Sequence, residues 1–255
     1  MTRALAVVPV RVGSSRLPGK ALLDETGQSL FLHTFARARD AQKFAAAVVA
    51  TDDDRIEEAA TKAGARVVRT SPDCRTGSER CAEALTRLRD AGEDFEFVVN
   101  LQGDWPEVAS DDLDALVSAL ESGAKTATLA SVLDEAKADD PNVVKVVRDR
   151  EQRALYFSRA AIPFARPESQ RGDDSDAPRP NRYRHIGVYA FRSEILLALP
   201  DLPSSGLDTL EGLEQLKLLE HGIPMRVLLA SNDPWGIEAR PDYEAFVKRQ
   251  TEVRR

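Results

Sequence analysis

VVPVRVGSSRLPGK, residues 7–20, joins an apolar run to a cationic loop near the start of the chain. The run from Ala4 to Val10 predicts a buried strand. It breaks at once into Arg11, Gly13, Ser14, Ser15, Arg16, Gly19 and Lys20. Glycines let backbone N–H groups come close to an anion, while arginine forks and a lysine point charge neutralise its oxygens. The loop therefore suits a polyphosphate, against the plainer alternative of a basic loop turned to solvent. It is not a Walker A loop, because Ala21 follows Lys20 where Ser or Thr would stand. It also lacks the G-x-G-x-x-G spacing of a dinucleotide fold, which argues against a nicotinamide oxidoreductase.

Outward from this loop, strand and helix patterns alternate. Phe31, Leu32, Phe35 and Ala38 repeat at helical spacing, and Ala45 to Thr51 is a second apolar run ending in Asp52, Asp53 and Asp54. Helices are predicted around 56–63, 81–88 and 113–120, with strands at 65–69 and 95–101. Glycines 64, 92 and 123 fall at the helix ends. This rhythm predicts an α/β fold, a mostly parallel mixed sheet flanked by helices. Farther on, 124–132, 143–148, 185–191 and 225–230 read as strands. Residues 207–221 read as one amphipathic helix and 242–253 as the last helix. The polar, proline-rich segment 165–183 reads as a long surface loop. The whole chain, 1–255, reads as a single domain with a smaller sub-lobe inserted at about 124–192.

Bulk composition limits the possible partners. The 255 residues are 42% hydrophobic and carry a net charge of −7. An acidic total disfavours broad nucleic-acid or membrane binding but not a local basic pocket. No apolar window is long enough to span a bilayer, and the N-terminus reads as a first strand and not a signal peptide. Cys74 and Cys81 are seven apart, match no zinc spacing, and read as reduced.

Four further clusters could carry chemistry. Asn100-Leu101-Gln102-Gly103-Asp104 closes a buried strand, where open α/β sheets bind ligands. Asp104 is a hard oxygen donor suited to Mg²⁺, and Gln102 offers a donor and an acceptor. An ordinary Gly-Asp turn is the alternative. Thr76-Gly77-Ser78-Glu79-Arg80 would admit a base or ribose, although a helix cap alone would also choose such residues. Arg159 could clamp a carboxylate bidentately, and His185 and Tyr189 share a strand face. A hydrogen-bonded structural role is the simpler reading of His185. His33 and His221 fall in helix patterns and read as surface residues. Glu214 and Gln215 would line a cleft or face water.

In order and spacing these motifs resemble the CMP-Kdo synthetases, the 3-deoxy-manno-octulosonate cytidylyltransferases. The resemblance is carried by Pro9, Arg11, Ser14 and Arg16 to Lys20, by VATDD at 49–53, and by Thr76 to Arg80. It continues through Val99 to Asp104 with Pro106, Asp140 to Val147, ALYFSR at 154–159, HIGVYAFR at 185–192 and LEQL at 213–216. It implies a nucleotidyltransferase architecture, Rossmann-like and GT-A-like, that moves CMP from CTP onto the anomeric hydroxyl of the acidic sugar Kdo and releases pyrophosphate. It also implies Mg²⁺, a homodimer, the cytoplasm and lipopolysaccharide biosynthesis. By motif position, Arg11, Ser14, Ser15, Arg16 and Lys20 would hold the triphosphate, with Thr76, Gly77, Arg80 and Gln102 on the nucleotide. Gln102, Arg159, His185, Tyr189, Glu214 and Gln215 would hold the sugar acid. Arg16, Lys20 and Asp104 would carry catalysis, and Asp104 and Glu238 the metal.

Three positions depart from the family pattern. Trp105 replaces a glutamate after the Gly-Asp, and Glu238 replaces an aspartate in the late Gly-Val-Asp motif. Cys74-Arg75 stands where a histidine precedes the nucleoside loop. Trp105 and Glu238 also admit a cytidylyltransferase for another acidic 2-keto sugar, or a non-catalytic nucleotide-binding relative.

Overall fold

Alternation along the first strand, β1 (Ala4–Pro9), builds two cores at once. Ala4, Ala6 and Val8 enter one apolar cluster, and Leu5 and Val7 enter the other. Side chains of a strand point to opposite faces with a period of two, so a run apolar at every position must be covered on both sides. In this computed structural model, which describes residues 3–14, 16–164, 182–204 and 206–253, helices supply both covers. α1 (Leu30–Asp40), α2 (Asp54–Lys62) and α4 (Ser110–Glu121) close one face through Phe31, Phe35, Ile56, Leu113 and Leu116. α3 (Gly77–Asp90) and α5 (Ser193–Ala198) close the other through Cys81, Leu85, Leu88 and Leu196.

The remaining strands are β2 (Phe44–Thr51), β3 (Arg66–Arg69), β4 (Phe97–Leu101), β5 (Thr126–Val132), β6 (Lys145–Arg148), β7 (Ala154–Ser158), β8 (Tyr183–Arg192) and β9 (Met225–Leu229). They form one nine-stranded sheet in the order β3-β2-β1-β4-β8-β5-β9, with β6 pairing β7 and β8. β1 runs parallel to β2 and β4, β2 to β3, and β5 to β9, while β8 is antiparallel to β4 and β5. The expected mixed, mostly parallel sheet with helices on both faces is the observed one. The sub-lobe expected at about 124–192 begins on β5 and ends on β8, both strands of the main sheet. No helix among the described residues is long and apolar enough to cross a membrane.

Three local expectations need correction. Residues 207–221 are not one helix but two, α6 (Gly206–Glu211) and α7 (Gln215–Glu220). Gly212 between them has φ of 60°, a left-handed conformation that ends a helix and that glycine adopts without steric cost. His33 is buried, not exposed. Its ring nitrogens lie 2.6 Å from Thr26 Oγ1 and 3.0 Å from Gln28 Nε2, and its edge meets Phe246. Ala154–Ser158, read only as a motif, is strand β7. The segment 165–181, expected as a surface loop, lies outside the described residues. The final helix, α8 (Arg240–Val253), docks through Tyr243 and Phe246 onto Leu30 and Ile237, and so fixes the chain just before it.

Candidate active site

β1 and β4 are adjacent and parallel, with Val7 opposite Asn100, so the loops that follow them leave the sheet at the same edge. β2 flanks β1 on its other side, which makes this edge the crevice where ligands of open α/β sheets bind. A cavity of about 330 Å³ opens there. The first loop lines it with Arg11, Ser14, Arg16 and Lys20, and the second with Gln102 and Asp104. Gly19 has φ of 69°, and its left-handed turn sends the chain into a single 3-10 turn, Lys20–Leu22. That turn aims Lys20 back into the cavity. Its Nζ donates to Asp104 Oδ2 at 2.6 Å and to the Ile237 carbonyl at 2.8 Å.

The third wall comes from the segment just before α3, through Cys74, Arg75, Thr76, Gly77 and Arg80. Thr76 caps α3, accepting the Glu79 N–H at 3.1 Å, so the N-terminal end of the helix lines the cavity through Thr76 and Gly77. Arg80 is buried and pairs with Asp52 at 2.9 Å, at the carboxyl end of β2. Arg75 pairs with Glu79. Arg11 has no ion-pair partner among the described residues. Cys74 donates to Glu83 Oε2 at 3.1 Å; burial, helped by that carboxylate, pushes its thiol up to about 11. Both cysteines are free, as the sequence suggested. Ser15 lies outside the described residues.

The last wall is the segment before α8. Glu238 lines the cavity and pairs with Arg16. Its backbone N–H donates to Asp242 Oδ2 at 3.0 Å, as does that of Ala239 at 2.8 Å. The Ile237 N–H donates to the Asp104 carbonyl at 2.9 Å, which ties this segment to the β4 loop. Asp104 Oδ1 is buried without a hydrogen-bond partner. An orphaned carboxylate oxygen is costly in an isolated protein and reasonable at a cation site. Among the described residues there is no cluster of three or more His, Cys, Asp or Glu that could hold a metal. Two hard carboxylates, Asp104 and Glu238, lining one cationic cavity fit Mg²⁺, which keeps several waters and takes one or two carboxylates plus substrate phosphates.

Of the six residues expected to hold the sugar acid, Gln102 alone lines this cavity. Tyr189, Glu214 and Gln215 gather behind the α3 wall, around a void of about 10 Å³. Tyr189 donates its hydroxyl proton to Gln215 Oε1 at 3.2 Å. Glu214 accepts from Thr76 Oγ1 at 2.8 Å and Ser78 Oγ at 2.9 Å, and so shares a residue with the main cavity. Burial raises the Glu214 carboxyl, and the two hydroxyls oppose that rise. Gln215 Nε2 and Asn100 Oδ1 are buried without hydrogen-bond partners. His185 is buried with Nε2 2.9 Å from Thr128 Oγ1; burial lowers its pKa to about 3 and keeps it neutral. Arg159 spends its guanidinium on backbone carbonyls, Glu211 at 2.7 Å and Pro141 at 2.9 Å. Of the two alternatives for Glu214 and Gln215, the cleft and not water is the one these contacts show. The break at Gly212 turns both residues inward at the start of α7.

The family model described as "Cytidylyltransferase" matches residues 5–227. The chain belongs to the cytidylyltransferase family. A curated cytidylyltransferase of Porphyromonas gingivalis, "3-deoxy-manno-octulosonate cytidylyltransferase", is 40% identical over 251 residues, covering 96% of each chain. An "8-amino-3,8-dideoxy-manno-octulosonate cytidylyltransferase" of Shewanella sediminis is 39% identical over 247 residues, covering 95% of this chain and 96% of the other. The solved structure of a CMP:2-keto-3-deoxy-manno-octonic acid synthetase complexed with CTP superposes with a TM-score of 0.89 at 32% identity, covering 99% of this chain and 100% of that one. Within this cytidylyltransferase fold, sequence reasoning assigned no role to Asp52, Asn100 or the Ile237 carbonyl. Asp52 and Asn100 stand at the carboxyl ends of β2 and β4, and that position was the available signal. The backbone carbonyl left none.

Proposed function

We propose that this cytidylyltransferase transfers CMP from CTP to the anomeric hydroxyl of Kdo, giving CMP-Kdo and pyrophosphate. The observation that carries the reading is the joint placement of Lys20 and Asp104 in one cleft between β1 and β4, lined by Arg11 and Arg16 and closed by the N-terminus of α3. The cations of the first loop would hold the triphosphate. Thr76, Gly77 and the α3 terminus would receive the nucleoside. The sugar hydroxyl oxygen would form a new bond to the α-phosphorus as the bond to the bridging oxygen breaks, pyrophosphate leaving and the hydroxyl proton passing to water. Such a transfer needs positioning and charge neutralisation more than a covalent enzyme group. Lys20 has three donors, so it can exchange a protein acceptor for a phosphate oxygen as CTP enters. His185, buried and held neutral against Thr128, would not serve as the base. Mg²⁺, which Asp104 and Glu238 would hold, supplies further neutralisation of the phosphates when bound.

The same reading extends to a cytoplasmic enzyme whose product feeds lipopolysaccharide assembly, and to a homodimer. Exposed Leu155 and Leu229, 60% and 46% accessible, offer apolar surface for a second copy. A second substrate reading, the 8-amino analogue of Kdo, is favoured by the nearly equal identity of the Shewanella relative. Pyrophosphate release with CTP, Mg²⁺ and a panel of 2-keto sugar acids separates the two. Turnover confined to Kdo supports the first, turnover confined to the 8-amino acid supports the second, and none with any acid contradicts both.

A further inference from the structure

Trp105 lies outside the wall of the cationic cavity yet touches the segments that build it. Its indole lies between two glycines. A Cβ added at Gly187, on β8, would fall 3.3 Å from the ring nitrogen, and one added at Gly236 would fall 3.3 Å from Cε2 and Cζ2. Both distances are tighter than ordinary van der Waals contact. Neither glycine has a positive φ, so backbone conformation does not call for glycine at either place. The ring does, because it fills the space their side chains would take.

The two ends of this wedge matter chemically. Trp105 follows Asp104, and its N–H closes the turn by donating to the Gln102 carbonyl at 3.1 Å. Gly236 leads into Ile237, whose carbonyl accepts from Lys20, and then into Glu238, which pairs with Arg16. One rigid ring therefore backs both carboxylate-bearing segments.

We propose that Trp105 is a positioning residue: its indole, wedged between Gly187 and Gly236, sets the Gly236–Glu238 segment against the Asp104 turn and so aligns the two carboxylates for a divalent cation. This rests on the reading of Asp104 and Glu238 as cation ligands. Groups that orient ligands from behind change metal affinity without touching the metal.

The test uses Mn²⁺ as the probe. Its binding to the full chain with CTP and no sugar is read from the paramagnetic resonance of the free ion, so turnover does not enter. Trp105→Ala should weaken Mn²⁺ by about tenfold, the lower end for loss of support behind a ligand. Trp105→Phe, which keeps a flat ring, should lose much less. In a Glu238→Gln background, Trp105→Ala should add little, because the ring acts through that carboxylate. Should Trp105→Ala not fold, Gly236→Ala presses a methyl onto the same ring and should also weaken Mn²⁺. Unchanged Mn²⁺ affinity in folded Trp105→Ala or Gly236→Ala, with Glu238→Gln weakened, overturns the proposal alone. Unchanged affinity in Glu238→Gln overturns the ligand reading and the proposal with it.

Discussion

Lys20 Nζ meets Asp104 Oδ2 at 2.6 Å across 84 residues of sequence. The contact follows from β1 and β4 being neighbours, since each residue lies in the loop after its strand. The pair is about one-fifth exposed, 19% and 23%, so incoming phosphates and water can reach it. Asp104→Asn should nearly abolish turnover. Lys20→Ala and Arg16→Ala should each lower kcat/KM for CTP by about 100-fold, the scale for removing one preorganised donor to developing phosphate charge. Continuous pyrophosphate release checks all three; near-normal rates in Asp104→Asn would refute its assigned role.

Glu214 joins the nucleotide wall to α7. Thr76 and Ser78 both donate to it, and Asn100 Nδ2 donates to Ser78 at 3.3 Å. Glu214→Ala leaves two hydroxyls without their acceptor, at a cost of about 2 kcal/mol of stability. It also loosens the cap of α3, so KM for CTP should rise. Urea denaturation and initial rates measure the two effects, and no change in either would show that the bonds are not formed in solution.

His185 makes the fold sensitive to acid. Its folded pKa is about 3, against an ordinary value of 6.5, because burial opposes its charge. Between those values the unfolded chain binds a proton that the folded chain refuses. Stability is therefore fully present above about pH 6.5 and falls as pH drops toward 3, by at most about 1.4 kcal/mol per pH unit. His185→Gln should flatten this part of the profile. Urea midpoints at pH 7 and pH 5 test it; an equal loss in both proteins would contradict the assignment.

Arg80 was read as a nucleoside contact, yet its guanidinium is buried against Asp52. Breaking a buried pair by removing one partner typically costs about 3 kcal/mol. Arg80→Met should approach that figure in urea denaturation, because Asp52 would lose its cation at the end of β2. A loss well below 1 kcal/mol would show that the Arg80–Asp52 pair contributes no more than a surface ion pair.

Residues 7–20 alone make the first strand, the cationic loop and the position of the crevice legible, because strand burial and loop charge are local properties. Asp104 was legible for the same reason, at the end of FVVNL. The break at Gly212 was not, since one glycine in a helical pattern costs only about 1 kcal/mol and many helices tolerate it. His33 misled because its burial depends on Thr26 and on Phe246 of α8, contacts made only after folding. Arg159 looked like a free carboxylate clamp, whereas its partners are backbone carbonyls, which carry no sequence signal.

The most direct test of the account is calorimetric titration with CTP, in Mg²⁺ and in EDTA, of wild type, Lys20→Ala and Asp104→Asn. Lys20→Ala should weaken CTP binding under both conditions, while Asp104→Asn should remove the gain that Mg²⁺ provides and leave binding in EDTA as strong or stronger. If both variants bind CTP with Mg²⁺ as wild type does, the two residues do not grip one triphosphate.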